Sequence, residues 1–433
     1  MELILDEISE FIIDCEHKTA PIQETGYPSI RTPNIGKGVL VLEGVNRVSE
    51  ETYKDWTKRG EPQEGDLIIA REAPVGNVAL IPKNLKVCLG QRTVLVRPDN
   101  TKVNSQYLCY LLLGEELQGQ ILTKTTGSTV AHLNMKDIRE LKIQNLPPLP
   151  IQTKIASILS AYDELIENNN QRIKLLEQMA EEIYKEWFVR LRFPGYETVK
   201  FFNEDGSEVK HGEVGGLPEG WEKQRIRQFG KVITGKTPSK NDDLNYDGEI
   251  PFIKTPDMQQ GMFFVQTEEK LSEKGANSQQ SQFIPKNTIS VSCIGTVGKV
   301  SITTKMSQTN QQINSLIPKK EFHLEFLYFS LLKLKPTIES FAATGATMSN
   351  LSKSKFENLK IIKPSDLLIS EFNEITNSSF EEIKILMQKN QLLQQTRDLL
   401  LPRLISGKLS VEHLVEEVVH LPMAAEPEVK YKE

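Results

Sequence analysis

The stretch Pro150–Arg192 constrains the fold of this chain more than any other. Ile155, Leu159, Tyr162, Ile166, Asn169, Ile173, Leu176, Ala180, Ile183 and Trp187 follow one another at steps that alternate between four and three residues. That is the heptad seam of a coiled coil, interrupted in its apolar character only at Asn169. A proline at the start, and none again until Pro194, predicts one uninterrupted helix. At about 1.5 Å per residue it spans roughly 60 Å, too long to hide inside a small domain. Such a helix holds two things apart.

The second half of the chain repeats the first. Tyr27-Pro-Ser-Ile-Arg-Thr-Pro-Asn34 returns as Ile250-Pro-Phe-Ile-Lys-Thr-Pro-Asp257, 223 residues later, and Val48-Ser-Glu50 returns as Leu271-Ser-Glu273 at the same offset. Asp66–Ala70 and Val75–Val78 return as Thr288–Ser292 and Val297–Val300, offset 222. Gly127–Thr129 with Leu133 returns as Gly345–Thr347 with Leu351, offset 218. Blocks that keep their order at a nearly constant offset mark a duplication. The seam repeats as well: Phe372, Ile383, Leu386, Asn390, Leu393, Leu400 and Leu404 share its spacing, with Thr376, Ser379 and Arg397 as polar members. Each helix thus carries a seam asparagine, a residue that sacrifices stability to fix register.

The expected fold is α+β. Two homologous mixed α/β domains, 1–149 and 221–368, are separated by two long helices, 150–192 and 369–408, forming an antiparallel coiled coil with a pseudo-twofold axis. A polar linker fills 193–220, and 409–433 reads as a tail that is disordered. Apolar residues also fall beside or at the ends of the seams: Ile158, Leu165, Leu175, Met179, Tyr184, Trp187 and Phe188 on the first helix, with Leu393, Leu400 and Leu404 on the second. A two-helix pair needs one stripe, so the surplus fits contact with the chain's own domains or, the reading taken here, docking of partner helices.

Composition excludes several classes. No apolar run approaches the roughly 18 residues of a membrane span, and the acidic start MELILDEISE lacks the layout of a signal peptide, which points to the cytoplasm. Cys15, Cys88, Cys109 and Cys293 are scattered and read as reduced thiols. The net charge of −6 is uneven: residues 221–368 carry 20 basic against 14 acidic side chains, whereas every other segment is acidic. One domain is basic, and the helices and linker carry the acid.

A search for catalytic machinery finds little. Gly230-Lys-Val-Ile-Thr-Gly235-Lys236-Thr237 satisfies the phosphate-loop pattern, which needs a helix whose N-terminal amides cradle phosphate. Pro238 disfavours that helix, and the turn-forming Ser239–Asp243 follows, so the segment reads as a basic surface loop. The six histidines show no metal-ligand spacing, and neither a nucleophile elbow nor a dinucleotide fingerprint is present. Asn145-Leu-Pro-Pro148 only superficially resembles an amino-methyltransferase site, because Leu146 intrudes and Leu149 stands where an aromatic belongs.

Recognition remains. Duplicated domains on a rigid spacer suit a linear ligand with two separated sites, and DNA half-sites about 34–36 Å apart fall within reach of such a helix. Candidate contacts are Arg31, Thr32, Asn34, Arg71, Gln91 and Arg92 in the first domain. In the second they are Lys236, Ser239, Lys240, Lys254, Thr255, Asp257, Lys299, Gln311 and Gln312. Arginine and lysine suit guanine edges, asparagine and glutamine suit adenine. The prolines of these blocks are assigned to closing the same strand turns.

The set Thr126-Gly-Ser-Thr129…Leu133, Leu146-Pro-Pro-Leu-Pro-Ile-Gln152, Glu182-Ile-Tyr-Lys-Glu-Trp-Phe188, Leu217-Pro-Glu-Gly-Trp221, Gly235-Lys-Thr-Pro-Ser239 and Leu401–Leu409 resembles the specificity subunit of type I restriction–modification systems. The resemblance covers essentially the whole chain. It implies two target recognition domains reading a bipartite, asymmetric double-stranded DNA site, and helices that act as ruler and as docking site for two modification (methyltransferase) subunits. Those would supply S-adenosylmethionine and adenine methylation; restriction subunits would supply ATP- and Mg-dependent translocation and cleavage. This chain would then be non-catalytic and hold no cofactor. The alternatives are a coiled-coil scaffold that binds proteins and a methyltransferase or NTPase in its own right.

Overall fold

The computed structural model describes residues 2–125, 132–213, 215–295, 297–343 and 351–412. The repeated blocks Thr126–Thr129 and Gly345–Thr347, and the tail beyond 412, lie outside the described residues. The chain divides into two compact units, Met1–Glu164 with Gln394–Glu433, and Leu165–Leu393, so each unit holds one domain and a portion of both long helices.

The first long helix runs Leu149–Tyr184 and continues as one π-type turn, Lys185–Val189. Leu191 in the left-handed region (φ 59°), followed by Pro194, ends it short of the expected Arg192. The second runs Asp366–Ile405 and tolerates Pro402 near its end. Every position of both seams is buried or half-buried. Within each unit the partners run in opposite directions: Asp163 meets Arg397 (2.5 Å) in the first, while Asn169 meets Asn390 (2.8 Å) and Tyr184 meets Phe372 in the second. The two seam asparagines therefore pair with each other. Asn390 Nδ2 also donates to Asn170 Oδ1 (2.8 Å), so its amide is satisfied on both sides. The polar residues of the weaker seam find partners too: Thr376 donates to the carbonyl of Phe372 (2.8 Å), and Arg397 lies against Asp163.

Asp163 joins its domain to both helices, because its second oxygen accepts from Tyr110 (2.5 Å). At the helix base the fully buried Gln152 accepts from the amide of Asn104 (2.8 Å) and donates to the carbonyls of Lys102 (3.1 Å) and Pro147 (2.8 Å). The Pro-rich junction is thereby locked to the first domain.

The two domains are built alike. The first has an antiparallel four-stranded sheet in the order Ser9–Asp14, Thr93–Pro98, Leu67–Ala70, Val78–Leu80, beside a three-stranded sheet centred on Tyr27–Ile30. The second orders Gly230–Thr234, Ile313–Pro318, Ile289–Ser292, Val300–Thr303 and Phe263–Phe264, beside three strands centred on Tyr246–Ile253. The repeated blocks are the turn chemistry of this plan. Ser49 and Ser272 cap matching short helices. Gly76 (φ 84°) and Gly298 (φ 81°) take the left-handed turn between matching strands, which a side chain would resist. The expected linker is partly folded: Phe201–Phe202, Glu208–Val209 and Leu217–Pro218 form a small sheet, and Phe193 stacks on Trp221.

Two predictions follow from this packing. Asn169→Leu alone leaves the buried Asn390 Oδ1 without its donor and should cost about 1–3 kcal/mol. The double variant with Asn390→Leu should recover that loss, read by denaturant unfolding. In the second domain Glu325 is buried against the second long helix, where Asn373 donates to it (2.6 Å), and burial pushes its carboxyl up to about 6. The native state therefore binds a proton that the unfolded chain has already lost between about pH 4.5 and 6, so stability falls as pH rises through that window. Glu325→Gln should stabilise the protein at pH 7.5 by about 2 kcal/mol, with the gain vanishing below about pH 4.5.

Candidate nucleic-acid interface

In each domain the strand order brings several loops to one end of the main sheet. In the first, the loops after Asp14, Ile30 and Ala70, the loop before Thr93 and the approach to Leu133 are stitched by backbone hydrogen bonds. These are Cys15 N to Thr93 O (3.2 Å), Gly90 N to Ile30 O (2.7 Å), Arg71 N to Arg92 O (2.9 Å) and Leu133 N to Arg71 O (3.0 Å). The second domain repeats the stitching with Gly235 N to Ile313 O (3.1 Å), Asn310 N to Ile253 O (3.0 Å), Cys293 N to Gln312 O (2.8 Å) and Leu351 N to Cys293 O (3.0 Å). Connections of this kind, on a rigid scaffold, are where recognition residues sit. All the candidate residues lie in these loops.

The structure sorts those candidates. Asn34 accepts from the amide of Arg31 (3.1 Å) and donates to Val41 O (3.1 Å); Asp257, buried, accepts from the amides of Lys254 (2.7 Å) and Glu268 (3.0 Å). Both hold their loops in shape, so neither presents a free edge to a base. Thr32 is buried at the start of the same turn. Lys254 pairs with Glu269 (2.8 Å) and Glu268 (3.3 Å), which neutralise it. Arg71 is buried and bound to Asp14 (2.7 Å), which removes it from any direct contact with a large ligand.

What remains outward differs between the domains. Arg31, Lys236, Lys240 and Lys299 are exposed, with no acid in ion-pair range among the described residues, and Ser239 is exposed beside Lys240. Arg92 is exposed but braced by Glu72 (2.9 Å). Gln91 donates to His17 O (3.4 Å). In the second domain Gln311 accepts from Thr237 (2.6 Å), and Gln312 accepts from Thr255 (3.0 Å) and Asn310 (3.1 Å), which leaves both amides their N–H groups. A sequence reading could not see Asp14, Glu72, His132 or Thr237, since each acts on a residue far away along the chain. Beneath Lys236 the buried Gln279 donates to Gln308 (2.7 Å) and to Lys236 O (2.8 Å).

The phosphate-loop lookalike is excluded by geometry. Gly230–Thr234 is a strand, residues 235–239 continue without a helix, and a side chain at Gly235 would strike the carbonyls of Thr309 and Asn310 at 2.2 Å. Among the described residues no group of three His, Cys, Asp or Glu could hold a metal ion, and no helix is long and apolar enough to cross a membrane. The cysteines are free and buried, and burial pushes Cys88 and Cys293 up to about 11.

The helix residues expected to dock partners also divide. Tyr184, Trp187 and Phe188 are buried in the second domain's core with Phe326, Phe329 and Phe372, because the π-type turn lets successive aromatics face inward. Leu404 is buried in the first domain's core, Ile158 and Leu400 pack on it, and Leu393 is half-buried. None of these offers a free face. Leu165, Leu175 and Met179 stay 53–60% exposed. The ion pair between Arg172 and Glu382 sets their flank beside that of Ile375 and Ile385, with Leu392 one heptad beyond Ile385, and these three are 46–62% exposed. Together they make an apolar face on the helix pair of the second unit.

Residues 7–178 and 218–366 each match the type I restriction modification DNA specificity domain. A type I restriction enzyme specificity subunit (HindI) of Haemophilus influenzae is 32% identical over 402 residues, covering 80% of this chain and 87% of that protein. The MjaIX specificity subunit of Methanocaldococcus jannaschii is 26% identical, covering 87% and 84%. A crystal structure of a type I restriction–modification S subunit from M. genitalium superposes with TM-score 0.57 at 17% identity, over 93% of this chain and 95% of that one, and shares its fold. With two matched domains and a relative of that identity over most of its length, the chain belongs to the specificity subunits of type I restriction–modification systems.

Proposed function

We propose that each domain reads one half of a bipartite, asymmetric site on double-stranded DNA through its stitched loop cluster. The observation that carries this is the same backbone stitching bearing different side chains: Arg31, Gln91 and Arg92 in one domain, Lys236, Lys299, Gln311 and Gln312 in the other. Two copies of one scaffold with unlike readers suit two unlike half-sites. Free lysines beside the readers suit phosphates, which position but do not specify. The paired helices set the half-site spacing.

The apolar face of Leu165, Leu175, Met179, Ile375, Ile385 and Leu392 is the docking surface for modification subunits, two per chain, in place of the buried aromatics. Those subunits bring S-adenosylmethionine and methylate adenine, and restriction subunits add ATP- and Mg-dependent cleavage. This chain supplies specificity and no catalytic group, and works in the cytoplasm.

The test is nuclease protection of a bipartite duplex by the chain assembled with its modification subunits. Two separated protected half-sites are expected, and adenine methylation by the chain alone would reject the reading. Leu175→Glu with Leu392→Glu should abolish co-purification of the modification subunit while leaving the melting temperature of the free chain unchanged, because both side chains are already in water. Inserting one heptad into both helices adds about 10 Å. The preferred spacer should lengthen by about three base pairs, and an unchanged spacer would remove the ruler role.

A further inference from the structure

Arg92 stands at the end of a ring of hydrogen bonds and ion pairs that the fold does not require. Its guanidinium forms an ion pair with Glu72 (Nε to Oε2, 2.9 Å). Glu72 Oε1 accepts from His132 Nδ1 (2.8 Å), and His132 Nε2 accepts from Arg71 Nη2 (2.9 Å). Arg71 is anchored in turn on Asp14 Oδ2 (2.7 Å) and on Leu133 O (2.9 Å), and its amide closes the ring on Arg92 O (2.9 Å). Every proton in this ring has a direction. Arg71 can only donate, so His132 Nε2 accepts and its Nδ1 faces Glu72, and both Glu72 oxygens are engaged.

Arg92 also sits in the left-handed region at φ 66°, a conformation that a non-glycine residue keeps only where its surroundings hold it. Yet the second domain closes the same loops without any of this. Cys293 stands where Arg71 does, Ile294 where Glu72 does and Gln312 where Arg92 does, and the backbone bond from Cys293 N to Gln312 O forms at 2.8 Å all the same. The ring therefore serves something other than loop closure.

With Nε held by Glu72, the two terminal amino groups of Arg92 remain free on a side chain that is 62% exposed. That pair makes the bidentate bond to guanine O6 and N7 in the major groove. A braced guanidinium also loses less freedom on binding than a free one. We infer that Arg92 is the guanine-reading group of the first domain, and that Glu72, His132 and Arg71 are its positioning residues. This rests on the DNA-specificity reading above.

The test uses the full chain assembled with its modification subunits and a duplex library randomised over both half-sites. Wild type should select a guanine at one position of one half-site. Arg92→Gln should lose that preference by about tenfold or more while the other half-site stays as it was. Arg92→Lys should restore it only in part, since an ammonium lacks the planar fork that fits the guanine edge. Glu72→Gln, which keeps the arginine but removes its charged brace, should weaken the same preference several-fold with no change at the other half-site. Melting temperatures measured in parallel identify any variant that fails to fold, and Arg92→Lys then carries the test. The inference is overturned if guanine selection survives in Arg92→Gln and Arg92→Lys, if selection falls equally at both half-sites, or if the wild-type motif has no guanine. A wild-type assembly that selects no sequence at all would instead overturn the DNA-reading function itself, and the inference with it.

Discussion

The hydrogen bond between Asn169 and Asn390 is the constraint on which the rest depends. A seam of leucine and isoleucine alone allows two helices to slide by a heptad at little cost. A buried amide that finds its partner in one register only removes that freedom. With register fixed in the second unit, Arg172 meets Glu382. The flank of the pair in the second unit then gathers its exposed apolar residues on one side.

Each unit converts this helix register into the position of its domain. In the first, Tyr110 and Arg397 share Asp163, and Gln152 ties the helix base to the loop at Lys102. In the second, an aromatic cluster of Tyr184, Phe188, Phe326, Phe329 and Phe372 fuses the helix ends to the domain core. Rigid attachment of this kind is what a spacer needs, because a loop cluster on a loose hinge sets no distance. The chain belongs to a family of DNA specificity subunits, and its two domains share a backbone stitching of their loops while the side chains on those loops differ.

Much of this was legible in the sequence, for a physical reason. The seam has a strict period, and the duplication shows wherever a local conformation demands a residue type, as at Ser49 and Ser272 or Gly76 and Gly298. Side-chain roles set by distant partners were not legible. Arg71 looks like a surface reader until Asp14 is seen to lie against it, and Asn34 and Asp257 look like base-readers until their loops close on them. Tyr184, Trp187 and Phe188 read as surplus on the helix because periodicity cannot tell a partner's surface from the chain's own core. Ile385 and Leu392, which do face water, lie off the seam and carried no signal of their own.

Choice of the modified sequence by this chain, through two unlike readers, is the step on which the proposed function rests. Sequencing of methylated adenines across the host genome, with the gene intact and deleted, tests it most directly. One bipartite, asymmetric motif with a fixed spacer should be methylated in the intact strain and unmethylated after deletion. Methylation of the same motif in the deletion strain, or loss of a motif that is contiguous rather than split, would contradict it.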